Sequence, residues 1–283
     1  MEILITNDDG FKSKGIQVLS SIMAPVGSIR VVAPKTHQSG MSMAVSLGFR
    51  KITAKDLPEK RPGRWTWLNA TPASCVKFAL NYDYADRKPD LLLCGINHGS
   101  NAATAACYSG TLGAAAEGAL NGVPSIGVSI DDYRPDADFS AVESFLPDII
   151  SGLLQSWPKD RYGLYYNINF PGIPADGIKG VKVCRQGKGH WEKEYKDWDI
   201  RKITYVGVDP EVLAEADRTP VGEGEKTYMM VGDFVDDDTP DSDADHRLME
   251  QGWITVVPEK LDTTDYEEVA RLTACGFNRV FFK

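Results

Sequence analysis

The 283-residue sequence predicts an α/β protein: a Rossmann-like, mostly parallel sheet with helices on both faces, plus a C-terminal β-hairpin extension and a terminal helix. Short apolar runs of strand length alternate with helical patterns as far as residue 170. The run at 90–96 is continuously apolar, as expected of a strand covered on both faces. Polar turns follow three of the early strands, where open α/β sheets gather their ligands.

Residues 2–6 form the first apolar run, which stops at Asn7-Asp8-Asp9-Gly10; Ile16, Leu19, Ile22 and Met23 then share one helical face. Residues 29–33 make a second buried-type strand ended by Pro34, and 35–42 read as a polar surface loop. Residues 45–53 and 65–68 are expected to be extended. Thr71 caps the next helix, with Pro72 at its first position and Cys75, Val76, Ala79 and Leu80 facing inward. A small-residue loop runs from the 90–96 strand to Tyr108. It leads into a helix of small residues over 111–121, stopped by Gly122 with Pro124 beyond. Side chains that small let a helix sit close to a sheet. A strand at 125–130, a helix at about 139–156 and a strand at 164–170 continue the alternation.

From about residue 179 the pattern changes to extended stretches at 181–185, 203–208 and 228–231, separated by charged, glycine-bearing segments. A helix over 243–251, a strand over 253–257 and a helix over 264–274 complete the chain. The expected organisation is a Rossmann-like catalytic core over 1–178, an extended hairpin region for subunit association over 179–241, and a helix–strand return with the C-terminal helix over 242–283. No internal repeat is present.

The composition is that of a globular protein, 42% hydrophobic and 25% charged, which excludes disordered and low-complexity classes. A formal charge of -9 gives no overall attraction for nucleic-acid backbone or anionic membrane, so neither a duplex nor a membrane is an expected partner. No apolar run approaches bilayer length, and the opening residues lack a basic, then apolar, leader; a cytoplasmic location is expected. The five cysteines are widely spaced without a C-x-x-C pair, which suits reduced thiols better than a disulfide framework or a zinc finger.

Candidate chemistry lies in the polar turns. Asp8 and Asp9 can converge only if the strand ends there, because successive strand side chains point to opposite faces. Two carboxylates so close repel by roughly 4 kcal/mol at an effective dielectric of about 20 unless a proton or a cation intervenes. Asp8, Asp9, Ser39 and Asn97 offer hard oxygen ligands, which suit one magnesium or manganese ion better than zinc. Taken alone, Asp-Asp-Gly is more often a turn or helix cap, Ser39 a loop hydroxyl and Asn97 an Asx-turn residue. Ser109, Gly110 and Thr111 open the small-residue helix, whose N–H groups and positive end would hold a phosphate; the competing reading is an ordinary serine cap.

Other motifs are excluded. There is no G-x-G-x-x-G, no P-loop and no G-x-S-x-G elbow. The acidic run from Asp236 to Asp245 fails as a calcium loop begun at Asp241, since His246 and Gly252 occupy the glycine and glutamate positions; it reads as a solvated loop. His37 and His98 are the histidines near the proposed crevice, with a supporting or leaving-group role weighed against plain loop imidazoles. Trp191, Tyr195 and Trp198 read as hairpin packing residues in preference to a base-stacking platform, because the flanking charges are mixed.

Five motifs in order carry a resemblance: Ile5-Thr6-Asn7-Asp8-Asp9-Gly10, Ala33-Pro34 with Ser39-Gly40, Leu68-Asn69-Ala70-Thr71-Pro72-Ala73 before Cys75-Val76, Gly95-Ile96-Asn97, and Tyr108-Ser109-Gly110-Thr111. Together with Asn167-Ile168-Asn169-Phe170-Pro171 and Gly252-Trp253-Ile254-Thr255-Val256, the chain resembles the SurE family of stationary-phase survival nucleotidases. The resemblance implies a metal-dependent phosphatase acting on nucleoside monophosphates, with the metal at Asp8, Asp9, Ser39 and Asn97. It also implies a C-terminal part exchanged between subunits of a homodimer or homotetramer. The chain departs from the family pattern at Lys35-Thr36, at Ala70, at Ser74 and in the loop 99–106, positions that line or support the mouth of the site.

The expected activity is hydrolysis of nucleoside monophosphates to nucleoside and phosphate, a divalent-metal-dependent 5′-nucleotidase reaction. Asp8 would handle a proton, Asn97 would orient metal and substrate, and Ser109, Gly110 and Thr111 would bind phosphate. A nucleotide-binding regulatory module without turnover is the alternative, and a structural assembly protein a third reading.

Overall fold

The computed structural model describes residues 1–48, 51–58, 61–134, 136–203 and 210–278. Its nine-stranded main sheet contains β1 (Glu2–Thr6), β2 (Ser28–Pro34), β3 (Ala54–Asp56), β4 (Arg64–Leu68), β5 (Leu91–His98), β6 (Ser125–Ile130), β7 (Leu164–Phe170) and β8 (Gly180–Val183). The extension adds β9 (Gly189–Glu192), β10 (Tyr195–Asp197), β11 (Tyr228–Met230) and β12 (Asp233–Asp236), and β13 (Trp253–Lys260) returns to the sheet. The helices are α1 (Lys14–Met23), α2 (Pro72–Tyr82), α3 (Ala105–Tyr108), α4 (Gly110–Leu120), α5 (Ser140–Gln155), α6 (Pro210–Arg218), α7 (Asp245–Glu250) and α8 (Tyr266–Ala274).

The strand order is β3-β4-β2-β1-β5-β6-β7-β13-β8. The run from β4 to β7 is parallel throughout, while β3 and β13 pair antiparallel with β4 and β7. Chain order reverses between β1 and β5, so the loops after these two strands splay apart and leave a crevice at the switch point.

Alternation along each strand divides the core. Ile3 and Ile5 pack with Ile16, Leu19, Val142, Leu146 and Ile150 beneath α1 and α5, whereas Leu4 packs with Cys75, Val76, Ala79, Ala114 and Ala115 beneath α2 and α4. Helix α4 is buried from Gly110 through Ala119. Its small residues permit this: a Cβ on Gly118 would stand 2.3 Å from a Leu92 methyl, and one on Gly113 would stand 1.9 Å from the Ser42 carbonyl oxygen. Buried Glu117 on that helix is matched by Lys77 of α2 at 2.8 Å.

Several expectations change. Residues 45–48 and 51–53 form no strand; only Ala54–Asp56 pairs with β4. Side chains supply the missing backbone partners there, with Ser46 N–H donating to Ser74 Oγ at 2.8 Å and Thr71 N–H to Ser46 Oγ at 3.1 Å. Positions 204–208 of the expected stretch at 203–208 lie outside the described residues, and helix α6 was not anticipated. Strand β8 pairs parallel with β13 at the edge of the main sheet. The acidic run is not simply a solvated loop: Asp236 pairs with Arg247 and His246, and Asp238 with Arg185, tying β12 to α7 and to the segment after β8. Among the described residues no helix is long and apolar enough to cross a membrane.

Candidate active site

Three loops meet at the switch point because each is hydrogen-bonded to another. The Asn7 amide, fully buried, donates to the Gly10 carbonyl at 3.0 Å and to Ser13 Oγ at 2.8 Å, which turns the chain sharply after β1. Gly10 has φ +93, and a Cβ there would press on Thr36 at 3.3 Å, so the turn requires glycine. Gln38 N–H donates to the Asp8 carbonyl at 2.7 Å, drawing the second loop, with His37 and Ser39, over the first. His98 N–H, at the end of β5, donates to Asp9 Oδ2 at 3.3 Å. The second loop is joined to the third by Ser42 N–H and the Tyr108 carbonyl at 3.0 Å.

Asp8, Ser39, Asn97 and Ser109 consequently line one cavity of about 570 Å³, and Asp9 lines an adjoining one that shares Ser39 and His98. Asn97 Nδ2 donates to the Gly99 carbonyl at 2.8 Å, which leaves its side-chain oxygen available to a cation. Ser39 is exposed on its loop. Asp8 is 3% exposed, and Thr111 Oγ1 donates to its Oδ1 at 2.6 Å.

Burial, then the charge of Asp9, pushes the Asp8 carboxyl up to about 6, against the opposing Thr111 hydrogen bond and the nearby His37. His37 Nδ1 stands 3.4 Å from Asp9 Oδ1. Burial disfavours its cation, but Asp9 and then Asp8 outweigh this and hold the imidazole above its ordinary value. His37 is therefore more than a loop imidazole, whereas the His98 ring packs edge-on against Phe139 with centroids 5.5 Å apart.

The Asp8–Asp9 pair fits a hard divalent cation, since the charge of Asp9 makes that of Asp8 costlier and the oxygens of Ser39 and Asn97 line the same cavities, with the His37 imidazole beside Asp9. The other acidic group does not invite one: Asp236, Asp238 and His246 lie within 4.8 Å of one another, but Arg185 and Arg247 already neutralise them.

At the start of α4 the cap reading of Ser109 holds. Its Oγ accepts from Leu112 N–H at 3.1 Å as a helix cap, and its proton is still free to be donated. The Ser109 N–H already points to the Ala106 carbonyl at 3.4 Å, and the Thr111 hydroxyl is engaged with Asp8. The expected N–H cradle thus reduces to Gly110 and Thr111. Gly110 packs directly on the acid: a Cβ would stand 2.9 Å from both Cβ and Oδ2 of Asp8.

Sequence reading missed the residues that hold the 99–107 loop. Asp245, wholly buried, accepts from Ala103 N–H at 3.1 Å and Gly187 N–H at 2.9 Å, and Gln186 Nε2 donates to the Ala103 carbonyl at 2.9 Å. Ala103 has φ +49, and this left-handed alanine is pinned at its N–H by the return segment and at its carbonyl by the extension. Asn169 Oδ1 accepts from Asn101 N–H at 2.7 Å, and Asn167 Nδ2 donates to the Asn101 carbonyl at 2.9 Å. An asparagine pair on one strand, Asn167-x-Asn169, was the only available signal.

A doubly wound sheet with its polar residues gathered at the switch point defines the class, a Rossmann-like ligand-binding α/β protein. Residues 3–193 match the model of one family of that class, "Survival protein SurE". The chain belongs to the SurE family. It is 34% identical over 280 residues to the 5'-nucleotidase SurE of Christiangramia forsetii, covering 98% of this chain and 97% of that one. It is 37% identical over 272 residues to the 5'-nucleotidase SurE of Cytophaga hutchinsonii, covering 95% of each. The crystal structure of SurE protein from Aquifex aeolicus superposes with a TM-score of 0.74 at 27% identity, covering 97% of this chain and 99% of that one.

Proposed function

We propose that the chain is a divalent-metal-dependent phosphomonoesterase that hydrolyses nucleoside monophosphates to nucleoside and phosphate, a 5′-nucleotidase. One observation carries this reading: the buried carboxylate of Asp8, next in sequence to Asp9, shares a cleft with Ser109 at the N-terminus of α4. The names of the relatives, 5'-nucleotidase SurE, support it.

Asp8, Asp9, Ser39 and Asn97 would hold one magnesium or manganese ion. When bound, the ion would polarise the phosphoryl oxygens and offset the carboxylate charge that otherwise repels the ester. The N–H groups of Gly110 and Thr111, with the Ser109 hydroxyl, bind phosphoryl oxygens at the positive end of α4. Asn97, which lines the same cavity, would orient metal and substrate. Thr111 bonds to Oδ1 of Asp8, and Oδ2 would take a proton from the attacking water.

A phosphate-release screen over mononucleotides and simple esters, with and without EDTA, on wild type and Asp9→Ala tests this. Release from AMP and GMP with Mn²⁺, lost on chelation and in Asp9→Ala, is the expected result. Tight AMP binding without release would favour the regulatory module, and activity untouched by EDTA would remove the metal.

Self-association is part of the proposal. Helix α8 is amphipathic yet buries no residue, and Tyr266, Val269 and Phe277 stand exposed along it and just beyond. Light scattering after size exclusion should give a dimer or tetramer, and a monomer at micromolar concentration would count against it. The free cysteines, Cys75 and Cys94 wholly buried among them, support a reducing compartment, the cytoplasm.

A further inference from the structure

We propose that Tyr133, Trp191 and Tyr195 form the wall that holds the nucleobase, so that the extension sets the preference for nucleotides over other phosphate esters. This rests on the nucleotidase reading of the site. The cavity that begins at Asp8, Asn97 and Ser109 continues between aromatic side chains from two separate parts of the chain. Its volume of about 570 Å³ lies within the roughly 300–1,000 Å³ of small-ligand sites.

One wall belongs to the core. Tyr133 follows β6, and its ring lies over Gly99, where a Cβ would stand 2.3 Å from Cε1. The other belongs to the extension, Trp191 on β9 and Tyr195 on β10. Trp191 is held in place by Phe234, its partner in the β9–β12 ladder, with ring centroids 5.3 Å apart. Tyr195 is 72% exposed, so its ring is not built into a core. A planar base between such rings gains stacking whatever its sequence of ring nitrogens.

Charge sets the direction of entry. Glu194 lines the aromatic end, its stem packed where a Cβ on Gly232 would stand 3.0 Å away. A carboxylate there repels phosphate and accepts from the amino and ring N–H groups of a base, while the open N–H groups of α4 attract phosphate at the other end. Trp191 packs in its hairpin against Phe234 as expected, and the proposal gives it and Tyr195 a base-facing role besides.

The test measures phosphate release from AMP, GMP and glycerol 3-phosphate with wild type, Trp191→Ala, Trp191→Phe and Tyr195→Ala. In both alanine variants the ratio of kcat/KM for AMP to that for glycerol 3-phosphate should fall roughly 10- to 100-fold, chiefly through KM, with Trp191→Phe retaining most of it. An unchanged ratio in both overturns the subsite. Tyr195→Ala keeps the test decisive if Trp191→Ala does not fold, because Tyr195 is exposed. Should wild type release phosphate from no ester, the nucleotidase reading falls. Quenching of Trp191 fluorescence by AMP then decides the subsite alone: quenching lost in Trp191→Phe supports it, and quenching unchanged overturns it.

Discussion

Asp8→Asn should abolish phosphate release while making the metal-free protein more stable. The substitution keeps an oxygen to accept from Thr111, so the loop after β1 retains its hydrogen bond. What it removes is a buried charge that burial and Asp9 both oppose. A folded-state pKa of about 6 against an ordinary 3.8 means that the native state holds this proton more tightly than the unfolded chain does. The stability contributed by that tighter binding is therefore complete below about pH 4 and is lost as pH rises through 6. At pH 7 the charged carboxylate costs about 3 kcal/mol, which the asparagine variant escapes. Thermal melts in EDTA from pH 4 to 7.5 would show wild type weakening across this range relative to the variant. Adding Mn²⁺ should reverse the ranking, because the cation stabilises only the protein that binds it well. Wild-type turnover by Asp8→Asn, or melts that stay parallel across the pH range, would refute the role given to Asp8.

The second large effect is expected at Gly110. Alanine is a good residue for a first helical turn, so Gly110→Ala should fold, yet its Cβ would meet Asp8 at 2.9 Å and the Gln38 carbonyl oxygen at 3.1 Å. One of the two loops must move, and displacing a reacting group by even 1 Å costs on the order of 100-fold in rate. Gly152→Ala is the control. It lies on the exposed side of α5 with nothing within 4 Å of the new Cβ, and should be neutral or stabilising by about 0.5–1 kcal/mol. A Gly110→Ala enzyme with near-normal kcat, beside an unaffected Gly152→Ala, would show that the close packing on Asp8 has no bearing on the reaction.

Signals carried by neighbouring residues were readable in advance. The Thr71 cap and Pro72 start α2 as expected, and the alternation of apolar runs yields β1, β2, β5, β6 and β7 with the intervening helices. The hairpin character of the extension and the stretch that becomes β11 were readable, but the pairings β9–β12 and β10–β11 were not, since strands of three or four residues joined over long separations leave no periodic pattern. The insertion of β13 between β7 and β8 was hidden for the same reason.

The site divides along the same line. Asp8, Asp9, Ser39 and Ser109 could be named from sequence because each sits in a turn or loop after a strand or before a helix, and Asn97 because it is the polar residue that ends the apolar run of β5. Sequence by itself thus determined the strand–helix alternation, the polar turns that meet at the switch point and the small-residue helix beside them. Tertiary structure alone decided that Thr111 bonds to Asp8, that Asp245 pins Ala103 from 142 residues away, and that Trp191 and Tyr195 line the same cavity as Asp8. Those contacts join segments whose spacing along the chain is arbitrary, and only the folded packing brings their atoms within reach.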